Sequence, residues 1–399
     1  MKLLIVYQEM VLGGSTSNLL SLLNSLDYSR VHVDLLLRRN EGELLDSIPP
    51  EVNVLKPLIR IRNRFLYQLL LFSSPGVFLA KLKSRYLQKK KGFWFGLKYF
   101  ENKDLEYTRD LPGEYDAAIG YLEGWTHTYI AGHVKAKKKI GYLHLDYKAA
   151  GLIPELDYDV FKQLDNIIFV SQKNKEVFDE CFPDFKGKSM IMPHIFSQEL
   201  IRRTARSGKS DIVLDHCFLN CVTVARIVFR HKGFDRVLRV LNAHKAEKCF
   251  ERFRWYVIGD GPDFGRMKEM IAEYGLEDQV FMLGTKENAY ANEVGMDIFL
   301  QPSYYEGKPA AVYEAMILGV PPLVTEYGSA REQIEDGKEG IIVENSEAGI
   351  YDGLTDVLSH PEKIARMKEY MKTKNYNNTE DVATFYKLVG ETSCGELPL

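Results

Sequence analysis

Residues 301–320 read QPSYYEGKPAAVYEAMILGV and hold two glutamates, Glu306 and Glu314, which stand eight residues apart. The apolar run before them, Asp297 to Leu300, predicts a short buried strand. Pro309 suits the first position of a helix, because its missing amide would have had no partner inside the helix. Eight residues at about 100° each do not share one helical face. The two glutamates are therefore expected to reach a common ligand from different elements, one from a loop and one from a helix.

Length and composition indicate an ordinary globular chain. Its 399 residues suffice for two or three domains with their own cores, and a net charge of -3 gives no general reason to expect nucleic acid. Five scattered cysteines lack the paired spacing of a zinc site, and no long apolar run could span a membrane. The apolar start, MKLLIVYQEM, is better interpreted as a buried strand than as a signal peptide. These features predict a protein of the reducing cytoplasm.

Strand-like apolar runs alternate with helical patterns along the chain. The first run, Leu3 to Tyr7, precedes Gly13, Gly14 and a leucine-rich helical pattern, which is typical of the opening of a doubly wound α/β domain. A polar stretch with weak periodicity then predicts a linker, and a second alternating series follows it. The sequence thus predicts two α/β domains with parallel sheets. The expected limits are 1–198 for the first domain, 199–213 for the linker, 214–375 for the second domain, and 376–399 for a C-terminal helix and tail that could pack back on the first domain.

The segment between Val52 and Phe100 is strongly basic. It has eleven Lys or Arg residues, no Asp or Glu, and many interleaved aromatic residues. Basic faces with aromatic and leucine partners suit an anionic membrane surface, where each Lys or Arg is worth roughly 1 kcal/mol. The alternative is a set of solvated helix faces whose apolar sides pack on the core. No nucleic-acid recognition motif accompanies the basic residues, so nucleic acid is not an expected partner.

Two cations follow the first predicted strand of the second domain. Arg226 and Lys232 lie in its loop, just before a predicted helix, where they could neutralise a diphosphate without a metal. After the next strand, Gly259 and Gly261 could bring the backbone close to a ligand, although a simple turn is the alternative. A dinucleotide-binding motif, G-x-G-x-x-G, that begins at Gly259 would need its third glycine at position 264. The chain has Phe264 there and its next glycine is Gly265, so a dehydrogenase is not favoured.

In the first domain, polar residues follow two neighbouring apolar strands. His144 and Asp146 come after one, and Glu123, Trp125 and Thr126 after the other, so these residues are candidates for contact with a ligand. A satisfied core or surface histidine is the alternative for His144. No serine-histidine-acid signature, zinc spacing or Walker loop is present. The chemistry is therefore expected to be electrostatic, with cations and helix amides holding a departing diphosphate.

Taken together, several stretches resemble the retaining GT-B glycosyltransferases of the large family 4, also called glycosyl transferases group 1. They are the amino-terminal glycine pair, VTVARIVFRHKGF, VIGDGP, VFMLG and QPSYYEGKPAAVYEAMILGVPPLVT. The last resembles the E-x7-E motif of that family, with Glu306 and Glu314 as its acids. The resemblance implies two Rossmann-like domains that face a central cleft, with the acceptor mainly on the first and the donor mainly on the second. The implied acceptor-side candidates are Glu123, Trp125, Thr126 and Asp146.

The resemblance also implies roles for individual residues. Glu314 would bind the ribose hydroxyls, Glu306 would contact the donor sugar, and His144 matches an active-site histidine near the transferred sugar. Arg226 and Lys232 would hold the diphosphate. The implied donor site further includes Gly13, Gly14, Gly259, Gly261, Gly307, Lys308, Pro309 and Ala310. Lys308 replaces a residue that is commonly apolar in the family, so a solvated loop lysine is the alternative there. Transfer would retain the anomeric configuration, need no metal or other cofactor, and use the leaving phosphate to take the acceptor proton.

Several segments, among them EGKPAAVYEA and KKKIGYLHLDY, look most like bacterial enzymes of capsule or exopolysaccharide synthesis. This likeness implies a hexosyl transfer from a nucleoside-diphosphate sugar, with UDP expected, to a lipid-linked saccharide at the inner face of the cell membrane. Two alternatives stay open: a GT-B sugar-nucleotide epimerase, and a non-catalytic nucleotide-sugar-binding protein. The sequence leaves open the base, the sugar, the linkage and the oligomeric state.

Overall fold

The computed structural model describes residues 1–11, 13–56, 75–106 and 108–390. These residues form two compact units. The first unit comprises the chain up to Val11, Leu19 to Ile195, and the part from Glu380 onward; the second comprises Phe196 to Thr379 and a short segment that ends at Asn18. Part of the basic segment, including Arg60, Arg62 and Arg64, and the end of the predicted tail, 391–399, lie outside the described residues.

Each unit is built on one parallel sheet. The strands are β1 Lys2–Tyr7, β2 His32–Leu37, β3 Asn53–Val54, β4 Glu114–Gly120, β5 Lys135–Leu143, β6 Asn166–Phe169, β7 Ser189–Ile191, β8 Leu219–Val224, β9 Phe253–Ile258, β10 Val280–Gly284, β11 Ile298–Gln301, β12 Pro322–Thr325 and β13 Ile341–Val343. The first sheet has the order β3-β2-β1-β4-β5-β6-β7 and the second the order β10-β9-β8-β11-β12-β13. Both orders reverse direction beside the first strand of the unit, as doubly wound folds do, and ligands bind at such switch points.

Helices connect the strands. They are α1 Gly14–Ser25, α2 Pro75–Lys91, α3 Phe93–Leu105, α4 Trp125–His133, α5 Pro154–Lys162, α6 Gln172–Cys181, α7 Gln198–Ser207, α8 Phe229–Lys232, α9 Phe234–His244, α10 Phe264–Tyr274, α11 Ala289–Glu293, α12 Ala310–Ile317, α13 Ala330–Gln333, α14 Glu347–Ser359, α15 Glu362–Lys372 and α16 Val382–Val389. Within the described ranges, none of these helices combines the length and apolar character that a membrane crossing requires.

The apolar runs become strands because both faces of each sheet are covered. In β1, Leu3 and Ile5 belong to one apolar cluster, whereas Leu4 and Val6 belong to another. All four side chains are fully buried. Successive side chains of a strand point to opposite faces, so a strand covered on both sides needs a continuous apolar sequence.

The segment predicted as a linker, residues 199–213, is instead helical over much of its length. Ser197 caps α7, since its hydroxyl accepts a hydrogen bond from the Leu200 amide at 3.2 Å. Ile201 and Ala205, four residues apart, are buried on one face. Arg202 Nε donates to the carbonyl of Ile317 at 3.0 Å, so α7 is fixed to the end of α12. A capped, packed helix thus replaces the expected linker.

Two further helix starts differ from the sequence prediction. The leucine-rich helix expected to follow Gly13 and Gly14 begins at Gly14 itself. Pro309 lies just before α12 with extended backbone (ψ 120°) and is the cap of the helix, not its first residue. Its carbonyl accepts a hydrogen bond from Gln333 Nε2 at 2.9 Å, which holds this extended conformation.

The C-terminal helix α16 belongs to the first unit. Phe385 and Leu388 lie in the same apolar cluster as Leu3 of β1. The Asp27 amide donates to the Tyr386 hydroxyl at 2.6 Å. The chain thus returns from the second unit to the first at its C-terminal end.

Candidate active site

The loop after β8 carries Arg226 and lies against the loop after β9. A Cβ at Gly259 would lie 2.1 Å from the Ala225 carbonyl oxygen, and one at Gly261 would lie 2.3 Å from that of Ile227. Only glycine permits so close an approach of the two loops. The packing of the Arg226 loop therefore accounts for both glycines. Arg226 itself is exposed, and within the described part of the chain it forms no hydrogen bond or ion pair.

Lys232 is positioned by a left-handed turn. It ends α8, and the next residue, Gly233, has φ 67°. A Cβ at Gly233 would lie 2.1 Å from the carbonyl oxygen of Pro302, in the loop after β11. This glycine thus allows the Lys232 turn to pack against the loop that carries Glu306.

Glu306 is 5% exposed and lies at the centre of a hydrogen-bond network. Its Oε1 accepts from Lys232 Nζ at 2.6 Å, from Ser303 Oγ at 2.6 Å and from Gln301 Nε2 at 2.8 Å. Burial alone would raise the pKa of Glu306, but the charges of Lys232 and His231 and the hydrogen bond from Lys232 hold it well below its usual range. The first glutamate of the motif is therefore a permanently ionised hydrogen-bond acceptor.

Glu314 has different surroundings, although it is nearly as buried, at 7% exposure. It lies in the second turn of α12, and its Oε1 accepts from the Tyr290 hydroxyl at 2.9 Å. Burial raises the pKa of Glu314 to about 7. A second buried acid, Glu293, has its pKa raised by burial and by the charge of Glu314. The structure thus places the two motif glutamates on a loop and on a helix, as predicted, and in opposite electrostatic settings.

The start of α12 contains the other donor-site candidates of the motif. Gly307, Pro309 and Ala310 are buried. Lys308 is half-buried; burial lowers its pKa, and the nearby charge of Glu332 opposes this shift. A helix begins here with unpaired amides, which favour an anion.

The amino-terminal glycines differ in their surroundings. A Cβ at Gly14 would lie 3.5 Å from Cβ of Ala310, which is an ordinary van der Waals contact. A Cβ at Gly13 would meet no atom within 4 Å. Sterics among the described residues therefore do not require glycine at either position.

His144, in the first unit, is a neutral imidazole with a defined tautomer. Burial lowers its pKa to about 4. Its Nε2 lies 3.1 Å from the carbonyl oxygen of Tyr121, and because a carbonyl can only accept, Nε2 carries the proton. Nδ1 is then an acceptor, and within the described residues it has no hydrogen-bond partner. His144 can thus accept a hydrogen bond from a ligand hydroxyl.

The four acceptor-side candidates separate into two groups. Trp125 and Thr126 are 1% and 0% exposed. Trp125 stacks on Tyr129, and Thr126 donates to the Leu122 carbonyl, so their side chains serve the core of the first unit and are not placed for ligand contact.

Glu123 and Asp146 are partly buried. Glu123 Oε2 accepts a hydrogen bond from the His144 amide at 3.3 Å, and burial raises its pKa. Asp146 Oδ1 accepts from the Ala149 amide at 2.8 Å and stabilises a turn. Glu123 is therefore the candidate that the structure brings next to His144.

The comparisons with known proteins show which family the second unit is similar to. Residues 220–374 match the model of the family described as glycosyl transferases group 1. WcaL of Salmonella typhimurium, named for colanic acid biosynthesis, is 32% identical over 138 residues, which cover 33% of this chain and 33% of WcaL. An uncharacterized glycosyltransferase of Methanocaldococcus jannaschii is 25% identical over 179 residues, which cover 44% of this chain and 43% of the other. Within the second unit, residues 220–374 therefore carry the sequence pattern of glycosyl transferases group 1.

The match to these curated relatives spans less than half of their length. The fold comparison covers nearly the whole chain. HepE of Anabaena, solved in complex with UDP and glucose, superposes with a TM-score of 0.69 at 15% identity, over 98% of this chain and 100% of HepE. The fold is therefore GT-B, as the resemblance predicted.

Some residues of the candidate site gave no signal in the sequence. Gln301 and Ser303 hold Glu306, and Tyr290 holds Glu314. His231, adjacent to Lys232, could only have been suspected from that position. Within the described ranges, no group of three or more His, Cys, Asp or Glu side chains is arranged to hold a metal ion.

Proposed function

We propose that the protein is a retaining glycosyltransferase that moves a sugar from a nucleoside-diphosphate sugar, with UDP as the expected nucleotide, to a saccharide acceptor. The network around Glu306 carries the proposal, because it places a buried, ionised carboxylate beside Lys232. The carboxylate can accept hydrogen bonds from sugar hydroxyls. A lysine ammonium has three donors, so Lys232 keeps two for phosphate oxygens while it binds Glu306.

The diphosphate would be held by cations and helix amides. Arg226 is exposed and unpaired among the described residues, and the amino end of α12 adds amides near Lys308 and Ala310. We propose that Gly13 and Gly14 allow the backbone to approach the donor on the same side. In the reaction, the bond from the anomeric carbon to the phosphate oxygen breaks with its electron pair, and preorganised positive charge stabilises the leaving group.

The remaining steps need no protein base and, in this proposal, no metal or other cofactor. The acceptor hydroxyl attacks the face that the phosphate leaves, and its proton passes to a phosphate oxygen. Glu314 binds ribose hydroxyls through the carboxylate that Tyr290 orients. His144 accepts a hydrogen bond from the transferred sugar through Nδ1, and Glu123 contacts the acceptor.

Donor binding and turnover test this proposal. UDP, UDP-glucose and UDP-N-acetylglucosamine are first compared for the rise they cause in melting temperature, since a ligand that binds only the folded protein stabilises it. Arg226→Ala, Lys232→Ala and Glu314→Ala are each expected to lower kcat/KM by about 100-fold or more. Arg203→Ala, at an exposed arginine of α7, is the matched control and should leave kcat/KM unchanged.

The outcomes of this assay separate the alternatives. Retention of configuration in the product and unchanged rates in EDTA are expected. Full activity in all three site variants would refute the site. An altered sugar nucleotide from donor alone would indicate an epimerase, and tight binding without any turnover would indicate a binding protein.

We further propose that the acceptor is lipid-linked and that the protein binds the inner face of the cell membrane through α2. Leu79, Leu82 and Tyr86 are 63%, 47% and 59% exposed, and their spacing places them on one helical face. Lys83 and Lys90 share that face and are exposed. An apolar stripe flanked by lysines suits an anionic bilayer surface.

The next helix, α3, packs against α2 and fixes it to the rest of the first unit. Lys98 Nζ lies 2.7 Å from Asp157 Oδ1 of α5, and both side chains are largely buried.

The name of WcaL supports a role in bacterial surface polysaccharide synthesis, such as that of a capsule.

Vesicle flotation tests the membrane proposal. Vesicles with phosphatidylglycerol should bind the protein, and vesicles of phosphatidylcholine alone should bind it weakly, with binding lost at high salt. The triple variant Leu79→Ser, Leu82→Ser, Tyr86→Ser should lose binding. Val213→Ser, at a 90% exposed apolar residue of the second unit, is the control. Binding that does not depend on lipid charge or salt concentration would refute the proposal, and so would a triple variant that floats with the vesicles to the same extent as the wild type.

A further inference from the structure

The two oxygens of Glu306 are in different surroundings. Oε1 accepts three hydrogen bonds, from Lys232, Gln301 and Ser303. Oε2 lies 3.5 Å from Nε2 of His231, which is too long for a hydrogen bond of normal strength. Since the chain already saturates Oε1, Oε2 is the oxygen that is left for a ligand.

His231 is held in a fixed orientation toward Oε2. Its ring stacks on Tyr305, with centroids 4.4 Å apart and ring planes at 13°. Its Nε2 is buried and, within the described part of the chain, has no hydrogen-bond partner. A buried polar atom without a partner is costly, and such atoms often mark a place where a ligand or water binds.

One hydroxyl group can satisfy both atoms. An oxygen about 2.8 Å from each of two atoms that lie 3.5 Å apart has hydrogen bonds of ordinary length to both. The hydroxyl hydrogen would go to Glu306 Oε2, which can only accept, and a lone pair of the hydroxyl would accept from the N–H at His231 Nε2. The pair thus selects a group that donates and accepts at once.

We propose that His231 is a donor-binding residue, and that its Nε2 and Glu306 Oε2 together bind one hydroxyl of the transferred sugar. This inference rests on the proposed function and extends it, because the contacts to diphosphate and ribose do not use His231. The pair recognises a sugar with a free hydroxyl at one position. It discriminates against a deoxy sugar, which loses both hydrogen bonds, and against a fluoro sugar, which cannot donate.

The test compares UDP with a UDP-sugar by calorimetry, using whichever of UDP-glucose and UDP-N-acetylglucosamine raises the melting temperature more. His231→Ala should weaken binding of the UDP-sugar about tenfold and change binding of UDP less than about twofold, since UDP lacks the sugar hydroxyl. His231→Gln keeps a side-chain N–H donor and should recover part of the loss. If the alanine variant does not fold, the glutamine variant and the sugar analogues carry the test.

A matched control lies in the same unit. His244 also stacks on a tyrosine, Tyr351, with centroids 4.0 Å apart, and its Nδ1 lies 2.7 Å from Oε1 of Glu247. His244→Ala should leave the affinity for UDP and for the UDP-sugar unchanged. Loss of the same size in the control would mean that any histidine deletion in this unit disturbs binding.

Monodeoxy and monofluoro analogues of the chosen UDP-sugar identify the hydroxyl. At one position, removal of the hydroxyl should weaken binding to the wild type about tenfold or more, and the same removal should cost His231→Ala several-fold less. The inference is wrong if His231→Ala binds the UDP-sugar normally, weakens UDP and UDP-sugar equally, or shows the wild-type penalty at every position. Failure of the wild type to bind UDP or any UDP-sugar would instead overturn the proposed function, and the inference with it.

Discussion

Replacing Lys232 by methionine tests how Glu306 is kept ionised. The two side chains are 17% and 6% exposed, and their ion pair measures 2.6 Å. Methionine keeps much of the side-chain volume and leaves a buried carboxylate with two neutral donors, Gln301 and Ser303. Removal of one partner of a buried ion pair costs about 3–5 kcal/mol. Because two donors remain, we expect a loss of about 3 kcal/mol in the free energy of unfolding at pH 7.

The loss should depend on pH with a definite sign. In the wild type, the pKa of Glu306 is lowered on folding, so its stabilisation is present above the unfolded pKa of about 4.3 and is lost as pH falls through the folded value. In the variant, His231 is the remaining charge that opposes burial, so we expect burial to prevail and the folded pKa to rise above the unfolded one. The variant then gains stability as pH falls toward 5, because Glu306 takes up a proton in the folded state. The gap between the two proteins should shrink by up to about 1.4 kcal/mol per pH unit.

Urea unfolding at pH 5, 6 and 7 measures this gap. The fluorescence of Trp255, which is buried in the second unit, follows the transition there. Lys372→Met is the matched control, since Lys372 is 70% exposed and pairs with Glu369, which is 72% exposed. Such surface pairs contribute at most about 1 kcal/mol. A loss below about 1 kcal/mol at pH 7 for Lys232→Met, or a gap that does not shrink toward pH 5, would refute the reasoning.

Two other perturbations have outcomes that the structure determines. Gly233→Ala should lower the free energy of unfolding by more than about 2 kcal/mol, because φ is 67° and the new Cβ would lie 2.1 Å from the Pro302 oxygen. Gly275→Ala is the control, since φ is similar, at 63°, but no atom lies within 4 Å of the new Cβ. It should lower the free energy of unfolding by only about 1 kcal/mol in the same urea assay. If Glu314 binds the ribose as proposed, the affinity for UDP should rise about tenfold from pH 6 to pH 8, because the pKa of Glu314 is about 7 and its ionised form is the stronger acceptor for ribose hydroxyls. Calorimetry should show no such rise for Glu314→Gln, and a rise of equal size there would exclude Glu314 as its source.

The sequence predicted the fold well where local patterns decide it. Continuous apolar runs identified the inner strands, such as β1 and β9, because a sheet covered on both faces needs apolar side chains on both. The short strands β3, β7 and β13 were missed, since two or three residues carry no periodicity. The helix α7 was missed because only Ile201 and Ala205 mark its buried face. Its Ser197 cap was a readable signal that the polar composition outweighed.

The site was predictable only in part, for a physical reason. Spacing along the chain placed Glu306 in a loop and Glu314 on a helix, and the structure agrees. Spacing could not show that Lys232, 74 residues earlier, binds Glu306 directly. Contacts of this kind depend on which strand ends are neighbours in the sheet, and no local sequence pattern determines the strand order. For the same reason, no local pattern indicated that Tyr290 donates a hydrogen bond to Glu314.

The two acids of the motif differ in what they can do at neutral pH. Glu306 is ionised at any physiological pH, because Lys232 and His231 outweigh its burial. An acid with so low a pKa cannot donate a proton, and its carboxylate is a poor base, so Glu306 is suited to accept hydrogen bonds and not to transfer protons. Glu314 lacks a cation, and only Tyr290 among the described residues donates to it. Ribose hydroxyls that donate hydrogen bonds to Glu314 would favour its ionised form, so binding of a ribose should itself lower the pKa of Glu314.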